Sequence, residues 1–160
     1  MILDPGALVV LIGPAGSGKS TFARRVPASW RVCLDDLREM VSGDAADQSA
    51  TPVAVRVQGL VLEERLARGL TTLVDSTNLE GHVRRSLLAR ARYWQRTPLA
   101  VLFEAPVEVC LHRAARRQRQ VPPEVIRAQH RRLPLPGDLR AEGFAEVHPM
   151  HLTDSEEVPT

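Results

Sequence analysis

The chain is short of several residue types, and each shortage argues against a class of protein. Its two cysteines, Cys33 and Cys110, lie far apart and form no Cys-x-x-Cys pair, which argues against a disulfide framework or a zinc site. No apolar run approaches the ~20 residues of a membrane span, and no secretory signal pattern is present. We therefore expect a protein of the reducing cytoplasm without a membrane partner, in which both cysteines are buried small apolar residues.

Aromatic residues and lysine are also scarce. Aromatic side chains make up 4% of the 160 residues, and Trp30, Tyr93 and Trp94 are too scattered to form a platform on which nucleobases stack. Of the 21 basic residues all but one are arginine, and the single lysine is Lys19. The five histidines show no metal-ligand spacing. The composition is otherwise that of an ordinary globular protein, and the length predicts one domain, 1–160.

The single lysine lies in a glycine-rich stretch, residues 13–20, that fits the pattern G-x-x-x-x-G-K-[ST]. An apolar run, 7–12, precedes it and a helix-compatible segment, 20–26, follows it, which is the context that this motif requires. Glycines let the backbone approach phosphates, and loop N–H groups bind phosphate oxygens. The lysine then reaches the β- and γ-phosphates, and the serine after it binds Mg²⁺. The residues predicted to bind a nucleoside triphosphate are Gly13, Gly16, Ser17, Gly18, Lys19, Ser20 and Thr21.

Short apolar segments alternate with helical ones along the chain, and this alternation predicts an α/β fold. Each strand candidate is followed by a polar or glycine-bearing stretch, as buried parallel strands require. We predict a parallel sheet of about five strands flanked by helices, with ligands at the carboxyl ends of the strands. The predicted strands are Leu8–Ile12, Arg31–Leu34, Thr71–Asp75, Leu99–Phe103 and, with a weaker pattern, Glu146–His148.

Apolar residues at helical spacing predict two long helices between the strands. The first apolar face consists of Val53, Val57, Leu60, Val61 and Leu66. Gly69 follows it as a C-cap. The second face consists of Val83, Leu87, Leu88, Ala91 and Trp94. Proline at a helix N-terminus predicts helices at Pro106–Arg116 and Pro122–Leu133, and the segment 133–137 predicts a turn.

Two aspartates and an arginine, Asp35, Asp36 and Arg38, stand where the second predicted strand ends. A carboxylate at a strand end facing the γ-phosphate can accept a proton from an attacking hydroxyl. An arginine three residues later can lie on the same face of a helical turn and hold an acceptor phosphate. The Asp-x-x-Arg spacing favours Asp35 as the base, with Asp36 as the competing choice. In the alternative interpretation, one aspartate caps the following helix and Arg38 is solvated.

The third predicted strand ends in Asp75-Ser76-Thr77-Asn78. Asp75 is placed either to accept a hydrogen bond from a Mg²⁺-bound water or to cap the helix that begins near Leu79. The glutamate-plus-glutamine arrangement that activates water is absent from the sequence. Transfer to an organic hydroxyl is therefore favoured over hydrolysis.

Basic residues are concentrated after residue 80. Residues 81–140 carry 13 basic and 4 acidic side chains, whereas residues 1–80 carry 8 and 10. This block is either an electrostatic footprint for a polyanion or a set of solvated helix faces. Within it, Arg113 and Arg117 stand one helical turn apart. We interpret residues 113–132 as a lid whose arginines neutralise charge on the transferred phosphoryl group, the alternative being a solvated basic helix end.

In order and spacing, these motifs resemble the kinase module of the bacterial RNA-repair polynucleotide kinase-phosphatase, in the P-loop phosphotransferase superfamily. The likeness covers nearly the whole chain. Its elements are residues 13–21, Asp35-x-x-Arg38, Ser42–Gln48, Asp75–Asn78, the Arg113…Arg117 lid, Val-Cys110-Leu-His-Arg113 and Glu142-Gly-Phe144. The resemblance implies an enzyme of nucleic-acid end healing that moves the γ-phosphate of ATP, or another NTP, onto the 5′-hydroxyl of RNA or DNA. The implied cofactor is Mg²⁺ or Mn²⁺.

The resemblance also implies a role for each matching residue. Lys19 and the loop N–H groups would hold the β- and γ-phosphates, and Ser20 would bind the metal. Asp35 would be the general base on the 5′-OH, and Arg38 would grip the acceptor's first phosphate. The remaining implied contacts are those of Arg113 and Arg117 with the donor and those of Gln48 and Val121 with the acceptor strand.

The chain departs from that family in two ways. It has no phosphatase or ligase module, and the lid is one residue shorter around Gln118-Arg119, so the roles of Arg117 and Arg119 stay open. The first departure predicts a stand-alone kinase or an excised module, and the ending at 154–160 favours the excised module, with fused or associated phosphatase and ligase partners. The alternative functions are a P-loop kinase for a small metabolite and a nucleotide-binding switch. The preferred NTP and the choice between RNA and DNA stay open.

Overall fold

A five-stranded parallel sheet forms the centre of the protein, whose computed structural model describes residues 5–116 and 121–151. The strands are β1 (Leu8–Ile12), β2 (Arg31–Cys33), β3 (Thr72–Asp75), β4 (Pro98–Phe103) and β5 (Glu146–Met150). Their order across the sheet is β2-β3-β1-β4-β5, and every neighbouring pair is parallel. The predicted α/β architecture is confirmed.

Helices connect the strands and cover both faces of the sheet. In the described part of the chain they are α1 (Lys19–Ala23), α2 (Leu34–Ser42), α3 (Thr51–Ala67), α4 (Gly81–Tyr93), α5 (Val107–Ala115), α6 (Pro123–His130) and α7 (Pro136–Glu142). Short 3₁₀ turns at Ala28–Trp30 and Gln48–Ala50 lead into β2 and α3. The C-cap residue of α3 is Arg68, and Gly69, predicted as the C-cap, is the next residue, where its φ of +66° ends the helix. None of the helices described is long and apolar enough to cross a membrane.

Two helical predictions differ from the structure. The segment 133–137 is not a turn throughout, because Pro136 and Gly137 already open α7, where the fixed φ of proline suits a first helical turn. In α3, Val53 and Leu60 are exposed. The buried face of this helix consists instead of Ala54, Leu62 and Leu66. Since α3 carries apolar residues nearly all round, periodicity alone does not select the face that packs.

The core lies on both sides of the sheet because successive residues of a strand point to opposite faces. Leu8 and Val10 of β1 pack on one side with residues of α2, α3, α4 and α7. Val9 and Leu11 pack on the other side with α1 and the adjoining strands. A smaller cluster joins α5 to α6 and consists of Ala105, Cys110, Ala114 and Ile126.

The strand order determines where a ligand can bind. From β1 at the centre, the chain runs to β2 and β3 on one side and then to β4 and β5 on the other. Ligands bind in open α/β sheets at the carboxyl ends of the strands, where the order reverses. The segments that follow β1, β2 and β3 begin at Gly13, Leu34 and Ser76. They share one edge of the sheet, as the sequence predicts.

Candidate active site

The glycine-rich loop between β1 and α1, residues 13–20 and here called the phosphate loop, follows a path that favours glycine. Gly16 has φ +80°, and a Cβ at this position would lie 2.2 Å from the carbonyl oxygen of Cys110 in α5. Gly18 has φ +102° at the N-terminus of α1. A side chain at either position would be strained. The glycines thus let the loop turn tightly and pack directly on α5.

Lys19 is buried in the first turn of α1, with an exposure of 8%. Its Nζ donates hydrogen bonds to the carbonyl oxygens of Gly13 and Pro14, at 2.8 and 2.7 Å. A compact ammonium with three donors suits these two carbonyl acceptors, whereas a planar guanidinium requires more room. The contacts place a positive charge at the loop that is predicted to bind phosphates.

The neighbouring residues of the loop differ in what their side chains can reach. The Ser17 side chain is fully buried and its hydroxyl has no partner among residues 5–116 and 121–151, while its backbone N–H donates to the carbonyl oxygen of Pro14 at 3.3 Å. Ser20, which carries the next hydroxyl group, lines the cleft described below. Thr21 Oγ1 accepts a hydrogen bond from Arg24 at 3.3 Å, and Thr21 does not line that cleft.

Asp35 and Arg38 form an ion pair within the first turns of α2. Arg38 donates through Nη2 to the Asp35 carboxylate and through Nε to the carbonyl oxygen of Ala45 at 3.0 Å. The Arg38 side chain is 8% exposed and that of Asp35 is 54% exposed. A buried guanidinium held by two acceptors presents its remaining N–H donors in a defined direction. The pair therefore combines a fixed cation with a carboxylate that is open to a ligand.

Neither aspartate caps α2, so the alternative interpretation as a helix cap is wrong. The N-cap residue is Cys33, and Asp35 and Asp36 both lie inside the first turn. Asp36 pairs with Arg31 at 3.4 Å. Of the two candidates for the base, Asp35 lines the cleft and Asp36 does not.

Asp75 ends β3 beside Cys33, its register partner in β2. Burial raises the pKa of the Asp75 carboxyl, while the charges of Lys19 and Arg31 oppose that rise. The N-cap of α4 is Glu80, so the interpretation of Asp75 as its cap is wrong. Cys33 is half-buried on the cleft wall rather than in the core. Burial raises the pKa of its thiol to about 12, which keeps the thiol protonated at neutral pH.

One cleft of about 780 Å³ brings half of the predicted site residues together. Its walls come from the phosphate loop, the start of α2, the turn after β3 and helix α6 of the lid. The predicted residues that line it are Lys19, Ser20, Asp35, Arg38, Gln48, Asp75 and Val121. Ala45, Pro122 and Val125 add an apolar part to the wall. Its volume is that of a typical small-ligand site.

Arg113 does not line this cleft and lies in the last turn of α5. Burial raises the pKa of the Cys110 thiol, and the charges of Lys19 and Arg113 oppose that rise. Arg113 is therefore close enough for its charge to act on Cys110, the residue of α5 whose carbonyl oxygen faces Gly16. Arg117, the other predicted donor contact, lies outside the described residues.

The C-terminal end of α6 is attached to the body of the protein. Gln129 Oε1 accepts a hydrogen bond from the backbone N–H of Ala15 at 2.8 Å. His130 Nε2 lies 3.1 Å from the carbonyl oxygen of Ala105. The sequence analysis did not single out Gln129, although it follows Val125, another cleft residue, by one helical turn. That spacing is the signal that could have found it.

A buried network fixes the turn that carries Asp75. Arg84, which is 5% exposed, donates to both carboxylate oxygens of Glu142 in α7, at 2.7 and 2.6 Å. It also donates to the carbonyl oxygens of Asn78 and Leu79, at 3.1 and 2.7 Å. The Asn78 amide donates to the carbonyl oxygen of Leu11 in β1 at 2.7 Å. Sequence analysis quoted Glu142 without a structural role, because no sequence pattern pairs residues this far apart.

Ser20 and Asp75 bring a hydroxyl and a carboxylate to the cleft, which are oxygen ligands of the kind that Mg²⁺ prefers. In phosphotransferases this ion takes one or two protein oxygens together with phosphates and water. A dedicated cage of protein side chains is therefore not required. Residues 5–116 and 121–151 contain no cluster of three or more His, Cys, Asp or Glu that could hold a metal ion. The residues present fit a magnesium ion that binds with the nucleotide.

A family model described as an AAA domain (AAA_33) matches residues 8–136. The match takes in the phosphate loop, Asp35, Arg38 and the lid. The chain belongs to this family. It is a P-loop kinase, a phosphotransferase whose donor is ATP or another nucleoside triphosphate.

Similar proteins of known sequence or structure agree with this assignment. The chain is 24% identical over 148 residues to the L-seryl-tRNA(Sec) kinase of Methanococcus maripaludis, covering 88% of this chain and 57% of that protein. A chain in the structure of the Pnkp1/Rnl/Hen1 RNA repair complex is 25% identical with a TM-score of 0.69, covering 79% of this chain and 43% of that one. A putative kinase from Chloroflexus aurantiacus is 16% identical with a TM-score of 0.67, covering 98% and 93%. The chain spans about half the length of the first two.

Proposed function

We propose that this P-loop kinase is a polynucleotide 5′-hydroxyl kinase, which transfers the γ-phosphate of ATP or another NTP to the 5′-OH end of RNA or DNA. The observation that carries the proposal is that Asp35 and Arg38 share one cleft with Lys19 and Ser20. Lys19 and Ser20 suit the donor triphosphate. The ion pair suits the acceptor, since it offers a base for a hydroxyl and a fixed cation for a phosphate.

In the proposed reaction, Asp35 accepts the proton of the attacking 5′-hydroxyl. A bond forms between that oxygen and the γ-phosphorus, while the bond from this phosphorus to the β,γ-bridging oxygen breaks and ADP leaves. Lys19 and the loop N–H groups stabilise the negative charge of the phosphates. Ser20 would hold a bound Mg²⁺, with Asp75 reaching it through water, and the ion would neutralise phosphate charge. Asp35 then holds the proton until solvent removes it.

The proposed contacts of the lid complete the donor site. Arg113 lies on the α5 side of the phosphate loop, where its guanidinium suits the negative charge of the triphosphate. Arg117, outside the described residues, is the second proposed donor contact. From this side, the two arginines would neutralise the negative charge that spreads over the phosphoryl group during transfer.

Three features favour a polynucleotide acceptor over a small metabolite. Arg38 is suited to a phosphate, and a 5′-OH strand carries one on its first internucleotide link. Gln48 and Val121 line the same cleft, where they can contact the first nucleotide. The excess of basic residues in 81–140 favours a polyanion. Two of the similar proteins, L-seryl-tRNA(Sec) kinase and the Pnkp1/Rnl/Hen1 RNA repair complex, also carry RNA in their names.

A phosphate-transfer assay tests the proposal. The protein is incubated with γ-labelled ATP, Mg²⁺ and an oligonucleotide that ends in a 5′-OH, and the same strand with a 5′-phosphate is the matched control. We expect label on the 5′-OH strand alone, and RNA and DNA versions report the preference between them. Transfer to nucleosides or sugar acids but not to the strand would assign the protein to the small-metabolite kinases. ATP hydrolysis without transfer to either would identify a nucleotide-binding switch.

A further inference from the structure

Gln129 joins the lid directly to the phosphate loop. Its Oε1 accepts the backbone N–H of Ala15 at 2.8 Å across 114 residues of sequence. Gln129 is half-buried and lines the cleft together with Ala15, Lys19 and Ser20. The side chain therefore contacts the loop at one end and lies beside the residues that suit the triphosphate.

The contact with Ala15 also determines which way the Gln129 amide points. A backbone N–H can only donate, so the side-chain atom facing it must be the carbonyl oxygen. The amide nitrogen, Nε2, is then on the other branch of the same group and carries two N–H donors. Nε2 forms no hydrogen bond with any of residues 5–116 and 121–151. Its two donors are available to a ligand in the cleft.

Contacts with the body of the protein support the position of Gln129. The next residue, His130, contacts the carbonyl oxygen of Ala105 at 3.1 Å, and Ile126 of the same helix is buried against α5. These contacts hold the end of α6 against the body of the protein. A donor on such a supported side chain is preorganised, and a preorganised donor can stabilise charge that develops during a reaction.

We propose that Gln129 is a catalytic residue of the phosphoryl transfer: Ala15 orients its amide, and Nε2 donates a hydrogen bond to an oxygen of the γ-phosphoryl group. The contact strengthens as that group moves from donor to acceptor. The proposal rests on the P-loop kinase chemistry of the chain and not on the identity of its acceptor. It adds a neutral donor to the charged groups Lys19 and Arg113.

Two variants distinguish the role of the Gln129 Oε1 acceptor from that of the Nε2 donors. Gln129→Glu keeps an oxygen for the Ala15 N–H but has no N–H donors and adds a negative charge. Gln129→Met has nearly the same length and keeps neither function. Arg127→Gln is the matched control, because Arg127 is exposed on the same helix two residues away.

The readouts are independent of any acceptor. We would measure the Kd of ADP and of ADP with aluminium fluoride, which mimics the phosphoryl group in transit, and the hydrogen exchange rate of the Ala15 amide. We expect Gln129→Glu to keep the slow Ala15 exchange, and both variants to lose at least about tenfold more affinity for ADP with aluminium fluoride than for ADP. Gln129→Met should also exchange faster at Ala15. The Arg127→Gln control should match the parent protein in all three.

Two outcomes would overturn the proposal. If Gln129→Glu binds ADP with aluminium fluoride as tightly as the parent protein, Gln129 only fastens the lid. If Gln129→Met leaves both the Ala15 exchange and the two affinities unchanged, the contact has no role in the site. Failure of 5′-OH strands to accept phosphate would leave both measurements valid, so it would count against the proposed acceptor alone.

Discussion

Lys19 is the single lysine in a chain with 21 basic residues, and its surroundings explain the difference. Its ammonium lies 2.7–2.8 Å from two carbonyl oxygens of the phosphate loop, inside a buried turn. The Arg38 guanidinium, by contrast, is held flat between a carboxylate and a carbonyl oxygen. A small mobile cation is suited to the moving phosphoryl group, and a planar fork to a phosphate that stays in place.

Lys19→Arg is therefore expected to impair the enzyme severely. The guanidinium is too wide to replace the ammonium beside the two carbonyl oxygens, so we expect kcat to fall by about 10²–10³-fold, as for the loss of one preorganised donor. Single-turnover rates with saturating ATP would measure this. Arg25→Lys, an exposed exchange in the adjoining segment, is the control and should be neutral. Near-normal turnover of Lys19→Arg would show that a compact ammonium is not required.

Asp35→Asn and Asp36→Asn form a matched pair of neighbours. Asp35 lines the cleft, whereas Asp36 faces Arg31. Loss of the base at Asp35 should lower kcat by about 10²–10⁴-fold while the Kd of ATP changes little. Asp36→Asn should retain most of the activity. Equal effects of the two exchanges on kcat would mean that Asp35 is not the base.

Asp75→Asn should raise stability and lower activity together. Burial raises the pKa of the folded-state carboxyl, so the folded protein holds this proton more tightly than the unfolded chain. The contribution of Asp75 to stability is therefore fully present below its unfolded pKa and is lost as the pH rises through the folded pKa. Above the folded pKa the ionised carboxylate is a cost that asparagine removes. We expect a higher Tm for the variant at pH 7 but not at pH 3, together with weaker Mg²⁺ dependence of turnover.

At the scale of elements, the ion pair between Arg84 and Glu142 connects α4 to α7. The Arg84 side chain is 6% exposed and that of Glu142 is 23% exposed, and Arg84 also holds two carbonyl groups of the turn after β3. That turn carries Asp75 at its start, and the N–H of Gly13 donates to the carbonyl oxygen of Thr77 within it at 3.0 Å. Helix α7 thus positions the site although it lies outside it.

Glu142→Ala should destabilise the protein strongly, because it leaves the Arg84 charge buried without its partner. Removal of one member of a buried pair typically costs about 3–5 kcal/mol. Glu80→Ala removes a partner of Arg132 in an exposed pair and should cost about 1 kcal/mol or less. Urea unfolding of both variants makes the comparison. If the two costs were equal, the buried pair would contribute no more than an exposed one.

At the scale of the whole molecule, the charge distribution leads to a prediction about salt. The net charge is only +2, but the basic excess is concentrated in 81–140. For a single strand, log affinity falls with log salt by about 0.7 per phosphate contacted. With about three contacts, the KM of a 5′-OH strand should rise roughly twentyfold between 50 and 200 mM salt. A strand of the same sequence with uncharged methylphosphonate links is the control and should show little change. A salt-independent KM for the charged strand would contradict a polyanion site.

Local sequence patterns were sufficient to predict much of the fold and of the candidate site. The phosphate loop and the buried strands are short-range features, in which glycine content, apolar runs and flanking segments all lie within about 20 residues of one another. They predicted the parallel sheet and the edge at which Gly13, Asp35 and Asp75 meet. The apolar face of α3 was harder to predict, because Val53 and Leu60 fit the helical period and yet are exposed.

By itself, the sequence determined the fold class, the phosphate loop and the strand ends that bear carboxylates, since these depend on local periodicity and on residue types with narrow chemical uses. Tertiary structure alone decided which side chains meet. It placed Asp35 and not Asp36 on the cleft, placed Gln129 on the Ala15 N–H and paired Arg84 with Glu142. Such contacts join residues up to 114 positions apart, and burial and geometry decide them only after the elements have packed.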